Sequence, residues 1–214
     1  MEVVGEARSK IPADVATHEL FANCNEELKV FGMSLDDGVR LRVWGRDKDA
    51  RTVATTTRAK ILTGNKRVAS SSFVSQHWFE SDAAVGLELL AMKSSGGLAT
   101  RQVVDFEPPR NYLYFLACDD VIFFSGFTSE AANLKEQVHD VLQVYDQAMS
   151  RAGTGWDKVR KLNILLQRGY DIGAVRDVFA NGNAQQVLDA EFTFVDGFAG
   201  GKYLIEIEAT AVKG

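Results

Sequence analysis

Two stretches decide how this chain is read: VGLELLAMK at residues 85–93 and IEIEATAVK at residues 205–213. Placed with 205 on 85, they match Leu87 with Ile207, Glu88 with Glu208, Ala91 with Ala211 and Lys93 with Lys213. Upstream, GMSLDDGVRLRVW (32–44) lies against GTGWDKVRKLNIL (153–165), pairing Gly32 with Gly153 and Asp36 with Asp157. TTRAKILTGN (56–65) lies against AVRDVFANGN (174–183), pairing Arg58 with Arg176 and Gly64-Asn65 with Gly182-Asn183. Three blocks in one order at nearly one spacing indicate an internal duplication. The later stretch also poses a chemical question. Alternate side chains of a strand share a face, so Glu206 and Glu208 point the same way. Either that face is wet, or a carboxylate lines a pocket.

Apolar periodicity gives each half the order helix, strand, helix, strand, strand. In the first half the helices are read at about 17–31 and 50–62, the strands at 39–46, 69–78 and 84–93. In the second half a long helix over 131–151 carries Leu134, Val138, Val141, Leu142, Tyr145 and Met149 at helical spacing. Gly153 is its stop signal. A strand at 159–166, a short helix at 172–180 and strands at about 188–196 and 203–213 follow. YLYFLACDDVIFFSGF (112–127) reads as a hairpin turning at Cys118-Asp119-Asp120. Residues 1–15 are too polar to give the first half a matching hairpin. Residues 94–108 join the halves with at most one strand. The division is therefore 1–105 and 106–214.

Composition bounds the function. A chain of 214 residues, 46% hydrophobic and 25% charged, is that of an ordinary globular protein. The net charge of -5 gives no reason to expect a nucleic acid or an anionic membrane as partner. No apolar run approaches the ~20 residues of a membrane helix, and the N-terminus does not read as a signal peptide. Cys24 and Cys118 lack a CxxC spacing, which is the pattern of reduced thiols in a cytoplasmic protein. His18, His77 and His139 are scattered without ligand spacing, so no metal is expected. No cofactor is expected either.

Hairpin, long helix, strand, short helix and two strands resemble the layout of the Rid family, the YjgF-like reactive intermediate deaminases. Four segments carry the resemblance: VIFFSGFTSE (121–130), SRAGTGWDKVRKLNILL (150–166), AVRDVF (174–179) and LIEIEATAV (204–212). The resemblance implies an α+β, chorismate-mutase-like fold, here in two repeats, each a mixed sheet backed by two helices. It implies a trimer-like homo-oligomeric arrangement with clefts between neighbouring units, and a small-molecule metabolite as partner. In deaminating members an arginine grips the substrate carboxylate in a bidentate pair, and a glutamate on the last strand places the hydrolytic water. Glu206 stands at that glutamate. The arginine is absent: the family spacing falls on Glu191 in the second half and on Ser71 in the first, where Gly86 also replaces the glutamate.

Other residues compete for the missing anion clamp. Arg58 and Arg176 match between the repeats, and Arg67 precedes the serine run; each is either a clamp or a solvated surface cation. Ser70 and Ser71 belong either to a hydroxyl-lined pocket wall or to a polar strand end. Ser125, in the SGF segment, is a substrate-binding candidate by resemblance. Glu206 is the catalytic candidate, as a general acid or base in a pocket that desolvates it. The implied function is a diverged Rid-like hydrolase or deaminase acting on a small anionic imine or enamine. The first alternative is a non-catalytic ligand-binding or assembly member. The second is a chorismate-type hydrolase, since RVWGRD (42–47) and ASSSF (69–73) resemble segments of those two-module enzymes.

Overall fold

The computed structural model describes residues 1–96, 100–181 and 190–214. The first half comprises β1 (Glu2–Glu6), α1 (Ala13–Val30), β2 (Gly38–Gly45), α2 (Lys48–Ile61), β3 (Ala69–Val74) and β4 (Val85–Ala91). The second comprises β5 (Arg101–Val104), β6 (Phe115–Cys118), β7 (Val121–Phe124), α3 (Leu134–Ala152), β8 (Val159–Gln167), α4 (Ile172–Ala180), β9 (Glu191–Val195) and β10 (Ile205–Val212). The fold is α+β. One sheet runs β1-β4-β2-β3, the other β5-β6-β7-β10-β8-β9. Both are mixed: β2 pairs β3 in parallel and β4 antiparallel, as β8 pairs β9 in parallel and β10 antiparallel.

The local signals act alike in both halves. The turn after α1 and the turn after α3 each contain a glycine with positive φ, Gly32 at 66° and Gly153 at 68°. Gly153 needs that conformation to close the Schellman-type end, with its N–H on the Ser150 carbonyl and the Thr154 N–H on the Met149 carbonyl. A short 3-10 turn then leads into the strand in each half, at Leu35–Asp37 and Trp156–Lys158. Asp47 caps α2 by accepting from the Ala50 N–H at 2.8 Å, and Asn133 caps α3 by accepting from Glu136 N–H at 3.1 Å.

Each sheet carries its helices on one face. Leu41, Val43, Leu87 and Leu89 pack with Leu20, Phe21, Cys24 and Leu28 of α1 and Ala54 of α2. Ile164, Ile205, Ile207 and Ala209 pack with Val138, Val141, Tyr145 and Met149 of α3 and Val175 of α4. The other two faces meet each other. Val39 and Ala69 join Leu116 and Phe123, while Trp44 and Phe73 join Leu165, Val195 and Phe198. The molecule is thus layered helix, sheet, sheet, helix. Buried Arg40 stitches the middle, donating to the Thr210 hydroxyl at 2.8 Å and to the Phe124 and Ala209 carbonyls at 3.0 and 2.6 Å.

The structure adds detail at three places. Residues 2–6 form a strand despite their polarity, because β1 is a sheet edge that needs apolar contact on one face only; Val3 supplies it. β5, which falls in 1–105, pairs with β6 of the second sheet. Cys118 ends β6 and is buried; the turn itself is Asp119-Asp120, with Asp119 at φ 51°. The repeat pairing of Gly182-Asn183, and the start of the strand expected from 188, lie outside the described residues.

Candidate functional site

A cleft of about 510 Å³ opens where the β3 edge of the first half meets β10 of the second. Arg51, Thr55 and Arg58 of α2 and Ser70, Ser71 and Ser72 of β3 form one wall; Gly126, Thr128, Tyr203 and Glu206 form the other. Pro109, Arg110, Asn111 and Tyr112, on the loop before β6, border it as well. Both walls come from one chain, although the resemblance implies a cleft between subunits.

Strand alternation distributes the three serines between two tasks. Ser70 and Ser72 face α2. The Arg58 guanidinium donates to the Ser70 hydroxyl and, at 3.1 Å, to the Asn111 carbonyl. The Arg51 guanidinium donates twice to the Ser72 hydroxyl, at 3.0 and 2.7 Å. Ser71 faces the other way, toward β10. Arg51 and Arg58 are only 8% and 5% exposed, and neither is ion-paired with a carboxylate among the described residues. Burial lowers the pKa of Arg51, an effect Glu206 partly offsets. Burial, and then the charge of Arg51, bring Arg58 down to about 10. Arg58 also keeps a buried Nε–H without an acceptor. At neutral pH two guanidinium charges therefore sit in low dielectric without a counter-charge, and such charges are normally paired.

The two acids of β10 have parted. Glu208 is fully buried and held by Arg42 of β2, whose Nε donates at 3.2 and 3.0 Å and whose Nη2 donates at 2.6 Å. Burial alone would raise the Glu208 pKa, but Arg42 and Arg40 outweigh it and hold the carboxyl below its ordinary range. Arg42 also binds Glu88, which accepts from the indole N–H groups of Trp44 and Trp78 at 2.8 and 3.1 Å. Glu206 is 6% exposed. Burial, followed by the neighbouring charge of Glu208, pushes its pKa up to about 8, against opposing pulls from Ser71, Arg51 and Arg42. Glu206 is thus a protonated carboxylic acid at neutral pH, in a cleft that also presents guanidinium groups.

Two glycines make room for this arrangement. A Cβ on Gly126 would overlap the Glu206 Oε1 and the Ser71 Oγ. A Cβ on Gly45 would overlap the backbone of Arg51, so the end of β2 touches α2 where that arginine departs.

The structure brings Arg58, Ser70, Ser71 and Glu206 together. It places the other candidates elsewhere. Arg67 is paired with Asp105 at 2.5 and 3.0 Å. Arg176 is exposed on α4 with its guanidinium 5.6 Å from the centre of the Phe192 ring. Ser125 is buried, donating to the Leu113 carbonyl at 2.5 Å and accepting from the Ser70 N–H at 3.0 Å. Arg51, Tyr112 and Tyr203 were not foreseen. Arg51 precedes Arg58 by two helical turns on one face, a spacing that could have flagged it. In the first half, the position matching Glu206 is Gly86, and a Cβ there would overlap the Trp78 indole, which stacks on Trp44 at 5.3 Å. That half fills the matching space with aromatic rings.

No protein-family model matches the sequence, and no curated protein matches it. Among solved structures, a chorismatase superposes on 99% of this chain and 74% of its own length, at 17% identity and a TM-score of 0.71. The chain has the chorismatase fold. Its two halves follow the Rid-like plan in tandem, and half-length matches are found as well. A YjgF/YER057c/UK114 family member from Mycobacterium tuberculosis covers 52% of this chain and 98% of its own, at 23% identity and a TM-score of 0.45. A putative endoribonuclease L-PSP from Entamoeba histolytica shares the same coverage, at 20% identity and a TM-score of 0.48.

Proposed function

We propose that the cleft binds a small anionic metabolite and that Glu206 serves it as a general acid in a hydrolysis. The supporting observation is the conjunction of two buried guanidinium groups without a carboxylate and a buried carboxyl that keeps its proton near neutrality. An anion between Arg51 and Arg58 supplies the missing counter-charge, and both arginines can meet a carboxylate with paired N–H donors. The substrate's reactive group then faces Glu206.

An enamine suits such a pair. The Glu206 proton passes to the nucleophilic carbon of the enamine, leaving an iminium cation and a Glu206 carboxylate. Water adds to the iminium carbon, and its released proton returns to Glu206. The carbinolamine collapses to ketone and ammonia. An acid with a pKa of about 8 is suited to this work near neutral pH, because it holds its proton yet surrenders it readily. An imine enters the same sequence at the water-addition step.

The chorismatase likeness over nearly the whole chain favours a second reading of the same cleft, with an enol ether in place of the enamine. Protonated carbon, water addition and collapse are unchanged, and an alcohol leaves instead of ammonia. The assay is direct. The protein is incubated with 2-aminoacrylate or iminoacids generated by an amino-acid oxidase, and separately with chorismate, while ammonia and 2-ketoacid are followed. Acceleration by the wild type and its loss in Glu206→Gln is the expected result. Wild-type rates equal to buffer on all substrates, with small carboxylates still bound, would overturn catalysis and leave a ligand-binding member of the fold.

A further inference from the structure

Ser71 is the serine of the run that holds no arginine. It lines the cleft, is 7% exposed, and its hydroxyl makes no hydrogen bond of good geometry. Leaving a buried hydroxyl without a partner is unfavourable. Its surroundings show what it waits for. Ser71 pairs across the parallel β2–β3 ladder with Arg42, the residue that holds Glu208. The Ser71 Oγ and Glu206 Oε1 both border the space that a Cβ on Gly126 would fill. Both oxygens of Glu208 already accept from Arg42, whereas the Glu206 carboxyl accepts no hydrogen bond of good geometry among the described residues. The hydroxyl therefore lies beside one carboxyl whose charge is fixed and one whose charge changes.

We propose that Ser71 is a positioning residue for Glu206: its hydroxyl rotates to donate to the Glu206 carboxylate as the proton leaves for the substrate. The inference rests on Glu206 being the acid of the cleft. A hydrogen bond formed only as charge develops favours the transition state over the ground state. It also fixes the carboxylate against the Gly126 backbone while water adds, so the returning proton finds its acceptor in place. The charged and titratable groups facing Glu206 are Glu208 on its own strand, Arg42 from β2, Arg51 from α2 and Tyr145 from α3. Of these only Glu208 also feels the Ser71 hydroxyl, and the Arg42 guanidinium keeps it ionised when Ser71 is truncated. The nearness of the hydroxyl lowers the pKa of Glu206, in keeping with donation to the ionised form.

The test needs no substrate. Infrared difference spectra recorded against Glu206→Gln isolate the protonated-carboxyl band of Glu206, and its intensity is followed from pH 5 to pH 10. In Ser71→Ala the titration midpoint should rise by about half to one pH unit. Ser71→Thr, which keeps the hydroxyl, should stay within a few tenths of the wild type. An unchanged or lower midpoint in Ser71→Ala would overturn the inference. A wild type with no band above pH 6 would instead overturn the role of Glu206, so the two failures are distinct. Should Ser71→Ala not fold, Ser71→Cys, a weaker donor of similar size, should move the midpoint upward; no movement would overturn the inference equally.

Discussion

Glu206 and Glu208 are chemically alike, two residues apart and on one face, yet they titrate in opposite directions. What separates them is a partner. Glu208 is hydrogen-bonded by the Arg42 guanidinium, while Glu206 has the Ser71 hydroxyl nearby and feels Arg51 and Arg42 without a hydrogen bond to either. Linkage then gives opposite pH dependences. Glu206 titrates near 4.5 when unfolded and near 8 when folded, so the folded state binds more protons between those values. Stability therefore falls as pH rises through that window. In Glu206→Gln this loss should vanish, leaving the variant more stable than the wild type by a few kcal/mol at pH 9; urea denaturation at pH 5, 7 and 9 would show it. Glu208 has the opposite sign: its contribution is present above pH 4.5 and fades as acid protonates it. Gly126→Ala tests geometry at the same scale. The overlap is with the far end of the Glu206 side chain, so the fold should survive with a Tm within a few degrees, while small-carboxylate turnover or binding falls at least tenfold.

At the scale of elements, β2 does two jobs. Its inward face carries Arg40 and Arg42, which tie the sheets together, and its end at Gly45 sets the place of α2 and hence of Arg51. Removing one partner of a buried pair leaves the other charge uncompensated. Arg42→Met should therefore destabilise by about 3–5 kcal/mol, measured by urea unfolding at pH 7. Gly45→Ala drives a methyl into helix backbone and should cost about 1–3 kcal/mol. Much at this scale was legible in the sequence. The repeat, the helices with their Gly153-type stops and the order of strands follow from periodicity and turn residues. β1 was not, since a polar edge strand has no periodic signature. The even-odd split of Ser70, Ser71 and Ser72 follows from alternation alone. Which face held the arginines did not, because it depends on how α2 packs on β3. Arg67 and Arg176 carried the same local signal as Arg58, and only tertiary placement tells a cleft arginine from one paired with Asp105 or lying over Phe192.

For the whole molecule, the decisive feature is that one chain supplies both walls of the cleft. The first half contributes guanidinium groups and serines, the second contributes the acid and Gly126. Neither repeat taken alone shows the arrangement, because the cleft joins side chains of one half to those of the other. The halves also share two apolar clusters and the Arg40 and Arg42 ties. They should unfold together: calorimetry at pH 7 should give one transition whose van't Hoff and calorimetric enthalpies agree, and two resolved transitions would show independent halves.

Arg51 and Arg58 are proposed to hold an anion opposite Glu206. A crystal structure grown with a millimolar small carboxylate such as pyruvate would show it. The carboxylate is expected between the two guanidinium groups, with its ketone end toward Glu206. A cleft without the carboxylate, or one occupied with the anion remote from both arginines, would contradict the claim.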